Sequence, residues 1–279
     1  MRIRPGAKKL AFGISVAGIV LLLLAFPFGP LLPWSPVKPG YATVGYARAE
    51  VFHDRAGELP EELRDVEGLM REAEAFHQLS YKRKVTIILC KNWRDCERGM
   101  PWLNIHALGG VTLATGDAVY ITPKLREKNF SHLEFLRHEL SHALISQNTT
   151  VLSSFRLNKV AWFNEGLAVS FGRQRDYLRR EEFLARAKGE DLGRYLDPSR
   201  TDIGGPGWNA RFAYPAQRYF VEYLKERFGD ARFRRFLGGV IADPDNHAAL
   251  FAQAYPISLS EAIREYETAV KSGQWLPKE

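Results

Sequence analysis

A chain of 279 residues with 46% hydrophobic and 25% charged side chains has the composition of a globular protein, enough for one sizeable domain or two small ones, and this excludes disorder as its default. The formal charge of +7 invites a nucleic-acid reading, yet Arg2, Arg4, Lys8 and Lys9 supply four of those charges ahead of the first apolar run, and no acid precedes Trp34. The basic excess is therefore a topological signal. No DNA- or RNA-binding motif accompanies it, so nucleic acid is not an expected partner.

The apolar run "LAFGISVAGIVLLLLAFPFGPLLPW", residues 10–34, holds no charge. At about 1.5 Å per helical residue its Pro-free part, up to Phe26, is near the lower limit for a bilayer span, and Pro27, Pro30 and Pro33 gather at its far end. A cleaved signal peptide would share the basic start and apolar stretch. Small-x-small sites occur only around residues 40–42, behind several prolines, which favours an uncleaved anchor helix. Basic residues before the run keep the N-terminus cytoplasmic and place everything after Pro36 outside, so the expectation is a single-pass protein of the cell membrane with an extracytoplasmic domain. Residues 1–34 are then the cytoplasmic N-terminus and anchor, and 35–46 ("SPVKPGYATVG" and its surroundings) a Pro- and Gly-rich linker. Residues 47–279 are the folded domain.

Within that domain "ARAEVFH" reads as extended, and residues 59–79 read as a helix from their apolar spacing and from Pro60 near the start. "VTIIL", residues 85–89, is a buried strand candidate. "GGVTLATG" and "AVYITP" follow as a hairpin joined by a Gly-Asp turn. Cys90 and Cys96 lie close enough to close a small loop in an oxidising compartment, with two free thiols as the alternative. From residue 131 onward the periodic segments are helical: 131–147, about 160–171, about 178–188, 215–228, 230–240 and 258–271. The fold class is thus α+β, with a small mixed sheet and its helices in residues 47–128 and a mainly helical half in 129–279. A cleft between such halves is a common place for a site.

"NFSHLEFLRHELSHALISQ" carries the chemistry. Ser131 stands three residues before Glu134 as in a capping box, and Phe130 and Phe135 sit where a hydrophobic staple would place them. His138 and His142 are four apart, so their rings leave one helix face one turn apart and can grip one ion. Glu139 projects about 100° further round and can reach a water on that ion. This is the H-E-x-x-H arrangement. Surface or core roles are the competing account for the two histidines, and His53, His77, His106, His132 and His247 receive only such roles. A catalytic zinc takes three protein ligands. A third histidine six residues after His142 is absent, since Asn148 stands there. The alternative is a carboxylate from a later helix, and "VAWFNEGLAVSFG" offers Glu165 among apolar neighbours, next to Gly166, whose missing side chain allows close helix approach. Glu165 as a purely structural carboxylate is the competing account.

"HELSH" followed by "WFNEGLA" resembles the gluzincin zinc metallopeptidases, the peptidase-MA-like domains related to thermolysin and the zinc aminopeptidases, over roughly residues 85–229. The resemblance implies a zincin-like metal cleft between the halves, Zn2+ held by His138, His142 and Glu165, and Glu139 as general base. "YPAQRYFVEYLKERFG" matches a later segment of such domains and makes Tyr214 the candidate to stabilise the transition-state oxygen. Alternatively, Tyr214 simply precedes a helix whose first position is Pro215. Tyr219 and Tyr223 are read as core residues. Two departures stand out: "GGVTLATG" lacks the glutamate that aminopeptidases use for the substrate's amino terminus, and no acid follows shortly after Glu165 to support the ligands.

The functional expectation is a membrane-anchored zinc metallopeptidase that hydrolyses peptide or protein substrates with a zinc-activated water. An extended substrate would pair with residues 109–115 or 119–122, and Gly109 and Gly110 would ease its approach, an ordinary turn being the alternative for that pair. A catalytically silent, membrane-tethered binding or scaffold module is the rival, and the retained Glu139 argues against it. An intramembrane protease is excluded by Arg137 and Glu134 on the histidine helix and by the lack of a second long apolar span. The charged stretch from Arg173 to Asp191 reads as a solvated helix.

Overall fold

A computed structural model describes residues 31–35, 37–174, 177–199 and 208–276, with the isolated residues 15, 18, 20 and 29. Most of the apolar run expected to form an anchor lies outside the described residues. Among the described residues no helix is long and apolar enough to cross a membrane.

Five strands form one mixed sheet in the order β1-β2-β3-β5-β4. They are β1 (Tyr41–Gly45), β2 (Ala49–Asp54), β3 (Val85–Leu89), β4 (Gly110–Thr112) and β5 (Ala118–Ile121). β2, β3 and β5 run parallel, while β1 and β4 pair antiparallel at the two edges. The stretch 41–45, expected to be linker, is an edge strand. Its β-branched Thr43 and Val44 suit a pleated surface, and Tyr41 is buried, a local signal that the flanking prolines and glycines mask. The parallel crossovers run through the helices α1 (Val66–His77) and α2 (Trp93–Gly99). The expected helix over 59–79 begins instead with a short 3-10 turn at Glu61–Leu63, and α1 starts where Asp65 accepts from the Gly68 N–H.

Alternation along the strands sends Val51, Ile87, Val119 and Ile121 to one face, where they meet Leu63, Met70, Leu136, Leu140 and Ala143. Phe52, Ile88 and Tyr120 go to the other face, with Met100, Ile105 and the pair Cys90 and Cys96. Those two cysteines form a disulfide, with Cα atoms 5.7 Å apart.

The helical half comprises α3 (Lys124–Lys128), α4 (His132–Asn148), α5 (Val151–Arg156), α6 (Ala161–Gly172), α7 (Arg180–Ala187), α8 (Gly193–Leu196), α9 (Ala210–Phe228), α10 (Asp230–Ala242), α11 (His247–Ala254) and α12 (Leu259–Ser272). Its core is aromatic: Trp162, Phe163, Phe212, Phe220, Phe233, Phe236, Phe251 and Tyr266 form one cluster. Tyr219 and Tyr223 belong to it, as their helical spacing suggests. Helix α4 bridges the two cores, with Leu136 and Leu140 against the sheet and Ile145 in the aromatic cluster.

Helix α9 starts a turn earlier than expected, so Pro215 lies inside it and Tyr214 is on its second turn. Proline has no N–H to give the Arg211 carbonyl one turn back. The Leu178 N–H fills that vacancy from outside the helix, at 3.3 Å.

Candidate metal centre

Helix α4 begins as its sequence requires. The Ser131 hydroxyl accepts from the Glu134 N–H, and the rings of Phe130 and Phe135 stack with centroids 5.8 Å apart. With its start fixed and its leucines against the sheet, the helix delivers His138 and His142 to the side facing α6. Their Nε2 atoms lie 3.0 Å apart, and Glu165 Oε2 is 3.4 Å from the first and 3.6 Å from the second. Among the described residues, His138, His142 and Glu165 form the one group of three or more such side chains able to hold a metal ion.

The donor set fits zinc. Ligand bonds of about 2.0–2.1 Å in tetrahedral directions put ligand atoms about 3.3 Å from one another, which the three observed separations bracket. Without an ion the same 3.0 Å approach is a hydrogen bond, one ring donating and the other accepting. Asn164 Oδ1 lies 3.3 Å from His142 Nδ1 and accepts its proton, so Nε2 is the atom that would face an ion once the ring gives up its other proton. Asn164 had no role assigned from the sequence, although a polar residue between Phe163 and Glu165 in an apolar helix is itself a signal.

Glu165 reaches the histidines because α6 lies close against α9. A Cβ on Gly166 would meet the Gln217 carbonyl oxygen at 2.6 Å and Val221 Cγ2 at 2.8 Å. Burial works against ionising Glu165, but the facing His142 and His138 outweigh it and hold the carboxyl far below its usual range. Burial also pulls His142 down, and the Glu165 charge, with Glu139 and Asn164 adding to it, overcomes that and raises the ring to about 9. The centre thus concentrates negative potential on the rings, the condition a cation meets.

Glu139 is buried beside this group and does not join it. Strand β4 lies across it: Thr112 Oγ1 is 2.8 Å from Glu139 Oε2, and also 2.8 Å from the Glu139 carbonyl oxygen. This contact was not foreseen, though Gly110 and Thr112, two apart on one strand, necessarily share a face. A Cβ on Gly110 would come within 2.7 Å of Glu139 Cγ and Oε1, and Gly109 packs on the Phe135 ring. The two glycines therefore let the strand rest on the metal helix.

β4 is also a sheet edge. The residues flanking it, Gly109 and Leu113, bond toward the β5 side, through Thr122 N to Gly109 O and Leu113 N to Ala118 O. Antiparallel alternation leaves the backbone groups of Gly110 and Thr112 turned outward. Residues 119–122, the other candidate for pairing with a substrate, are ruled out: β5 has neighbours on both sides.

Tyr214 reaches the centre from α9. Its ring centroid is 6.5 Å from that of His138 and 5.0 Å from that of Tyr177. The Glu165 charge, then burial and Glu139, push its phenol well above the ordinary range, so the hydroxyl keeps its proton. Of the remaining histidines, His77 is buried with Nε2 2.9 Å from Ser141 Oγ on α4, and His106 pairs with Glu97 at the surface.

No family model matches the sequence, and no curated protein matches it. Among solved structures, the chain is similar to an M1 zinc metallopeptidase from Deinococcus radiodurans, with a TM-score of 0.41 and 16% identity over 85% of this chain and 52% of that one. It is also similar to leukotriene A4 hydrolase from Saccharomyces cerevisiae, with a TM-score of 0.44 and 15% identity over 86% of this chain and 40% of that one. The chain spans about half the length of these structures or less.

Proposed function

We propose that this protein is a zinc metallopeptidase of gluzincin type, tethered to the cell membrane by residues 10–34 with its folded domain on the extracytoplasmic side. One observation carries the reading: three ligand atoms from two helices converge at tetrahedral spacing with an uninvolved, buried glutamate beside them. His138, His142 and Glu165 would hold the ion. Zinc bound there supplies Lewis acidity, polarising a carbonyl and making a water acidic enough to attack it.

The chain's own residues do the rest. The Thr112 hydroxyl, 2.8 Å from both Oε2 and the carbonyl oxygen of Glu139, steadies the carboxylate that accepts the water proton and passes it to the leaving amine. The protonated Tyr214 hydroxyl is the donor for the oxygen on which charge develops. The outward backbone groups of Gly110 and Thr112 receive an extended peptide as an added strand, which puts its backbone alongside Glu139. Without an acidic residue in that strand for a free amino terminus, the site suits internal peptide bonds.

The test is metal analysis and hydrolysis of a peptide library by the full chain, wild type beside Glu139→Gln. Stoichiometric zinc in both, with turnover at least a hundredfold lower in the variant, is expected. Zinc in both with no cleavage by either would transfer the protein to the scaffold reading, and no zinc in either would remove the metal centre altogether.

A further inference from the structure

His138 and His142 differ in how their second ring nitrogen is served. Asn164 takes the Nδ1 of His142, but the buried Nδ1 of His138 has no partner among the described residues. With Nε2 directed at the ligand cluster, a neutral His138 ring must carry its proton on Nδ1, as a donor lacking an acceptor. Helix α6 offers none one turn beyond Glu165, where the buried residue is Val169.

Two further buried atoms without partners among the described residues lie nearby, Oε1 and Nε2 of Gln174. Gln174 follows the C-terminus of α6 and is only 5% exposed, so its amide has little access to bulk solvent. A point one Cβ out from Gly172 lies 3.3 Å from His138 Cβ and 3.3 Å from Gln174 Cγ. The two side chains therefore flank one spot, with those carbons no more than twice that distance apart. Nδ1 and Oε1 each stand two bonds further out, a combined reach that spans such a gap once the outer torsions of Gln174 turn its carbonyl oxygen toward the ring; in this structure the two atoms are not bonded. A side chain at Gly172 would crowd both, and the Glu134 carbonyl oxygen as well at 3.1 Å, so the glycine keeps the two side chains close. A donor lacking an acceptor and an acceptor lacking a donor, each penalised while buried and unpaired, remove both penalties by meeting.

We propose that Gln174 is a positioning residue of the metal centre: its Oε1 accepts the Nδ1–H of His138 and holds Nε2 toward His142 and Glu165. The inference rests on the metal reading above. Gln174 then fills the place left by the acid missing after Glu165, with a neutral amide in place of a carboxylate. Such a partner orients the ring but enriches it less, which sets zinc affinity below that of a carboxylate-supported site.

The experiment uses the full chain and measures zinc affinity by chelator competition for wild type, Gln174→Met and Gln174→Glu, with thermal unfolding of each metal-free protein. Exchange of the His138 Nδ1 proton is followed by NMR on ring-labelled protein. Gln174→Met should weaken zinc binding by about tenfold to a hundredfold, while Gln174→Glu binds at least as tightly as wild type. In wild type the Nδ1 proton should be protected from exchange. Equal zinc affinity in wild type and Gln174→Met overturns the proposal, as does a Gln174→Glu variant that binds more weakly than Gln174→Met. If Gln174→Met does not fold, an unprotected Nδ1 proton in loaded wild type overturns it on its own. Wild type that holds no zinc refutes the metal reading and this inference together, whereas zinc held indifferently to residue 174 refutes this inference alone.

Discussion

Replacing Gly166 with alanine probes the packing that brings the third ligand to the histidines. The added Cβ would stand 2.6 Å from the Gln217 carbonyl oxygen, where ordinary contact begins at 3.4 Å. Both Gln217 and Val221 are fully buried, so the conflict falls on helix backbone and packed core. Overpacking against helix backbone, which cannot step aside, falls in the upper part of the usual range, about 2–3 kcal/mol. Alanine recovers up to about 1 kcal/mol as the better helix former, leaving a net loss of about 1–2 kcal/mol. For a domain of this size that lowers Tm by about 3–6 °C. Glu165 is the adjoining residue, so the same displacement moves a ligand by a sizeable fraction of an ångström, and zinc affinity should fall as well. Calorimetry and chelator competition on Gly166→Ala read the two effects. An unchanged or raised Tm would refute the close-approach argument, because only the helix-propensity gain would then have been felt.

Thr112→Val keeps the shape of β4 and removes the hydroxyl from Glu139 Oε2; peptidase turnover should drop about tenfold to a hundredfold through loss of positioning, with zinc content unchanged, and equal turnover would show that the contact is incidental. His77 has its ring held near a pKa of about 3 by burial, with Lys225 and His142 adding to it. Because that lies below the ordinary value of about 6.5, the unfolded chain takes the proton first. The stability due to neutral His77 is therefore complete above about 6.5 and is lost as pH falls toward about 3, amounting to about 2–3 kcal/mol at pH 4.5. Urea unfolding at pH 7.5 and 4.5 should show a smaller difference for His77→Gln than for wild type, and an identical difference contradicts the assignment. Converting both Cys90 and Cys96 to serine opens a short loop, and a loss of about 2 kcal/mol is expected in denaturant unfolding; no loss would mean that packing of that sheet face already fixes the loop.

What the sequence disclosed and what it withheld follow the range of the interactions. The start of α4, its staple and the shared face of His138 and His142 depend on residues within two turns of one another, and they could be read directly. The need for close approach at Gly166 was legible too, because a glycine beside a buried glutamate is a local oddity. Strand β1 was hidden, since pairing Tyr41 to Asp54 depends on a partner that the surrounding prolines and glycines do not advertise. The start of α9 was misplaced for a related reason: the bond that makes Pro215 tolerable comes from Leu178, a residue in another segment. Thr112 and Asn164 both stood in quoted motifs without a role, because their value comes from the atoms opposite them. Gln174 looked like part of a solvated charged stretch until its burial became visible.

The tether between Leu178 and the Arg211 carbonyl reverses the usual expectation for an internal proline. Pro215→Ala would ordinarily count as repair, since it restores an amide to the helix ladder. Here the restored amide would compete for a carbonyl that currently fastens a neighbouring segment, and Tyr177 would lose an anchor just where its ring leans on Tyr214. The imperfection in one helix is thus what ties down the wall around the aromatic hydroxyl, and mending it would loosen that wall.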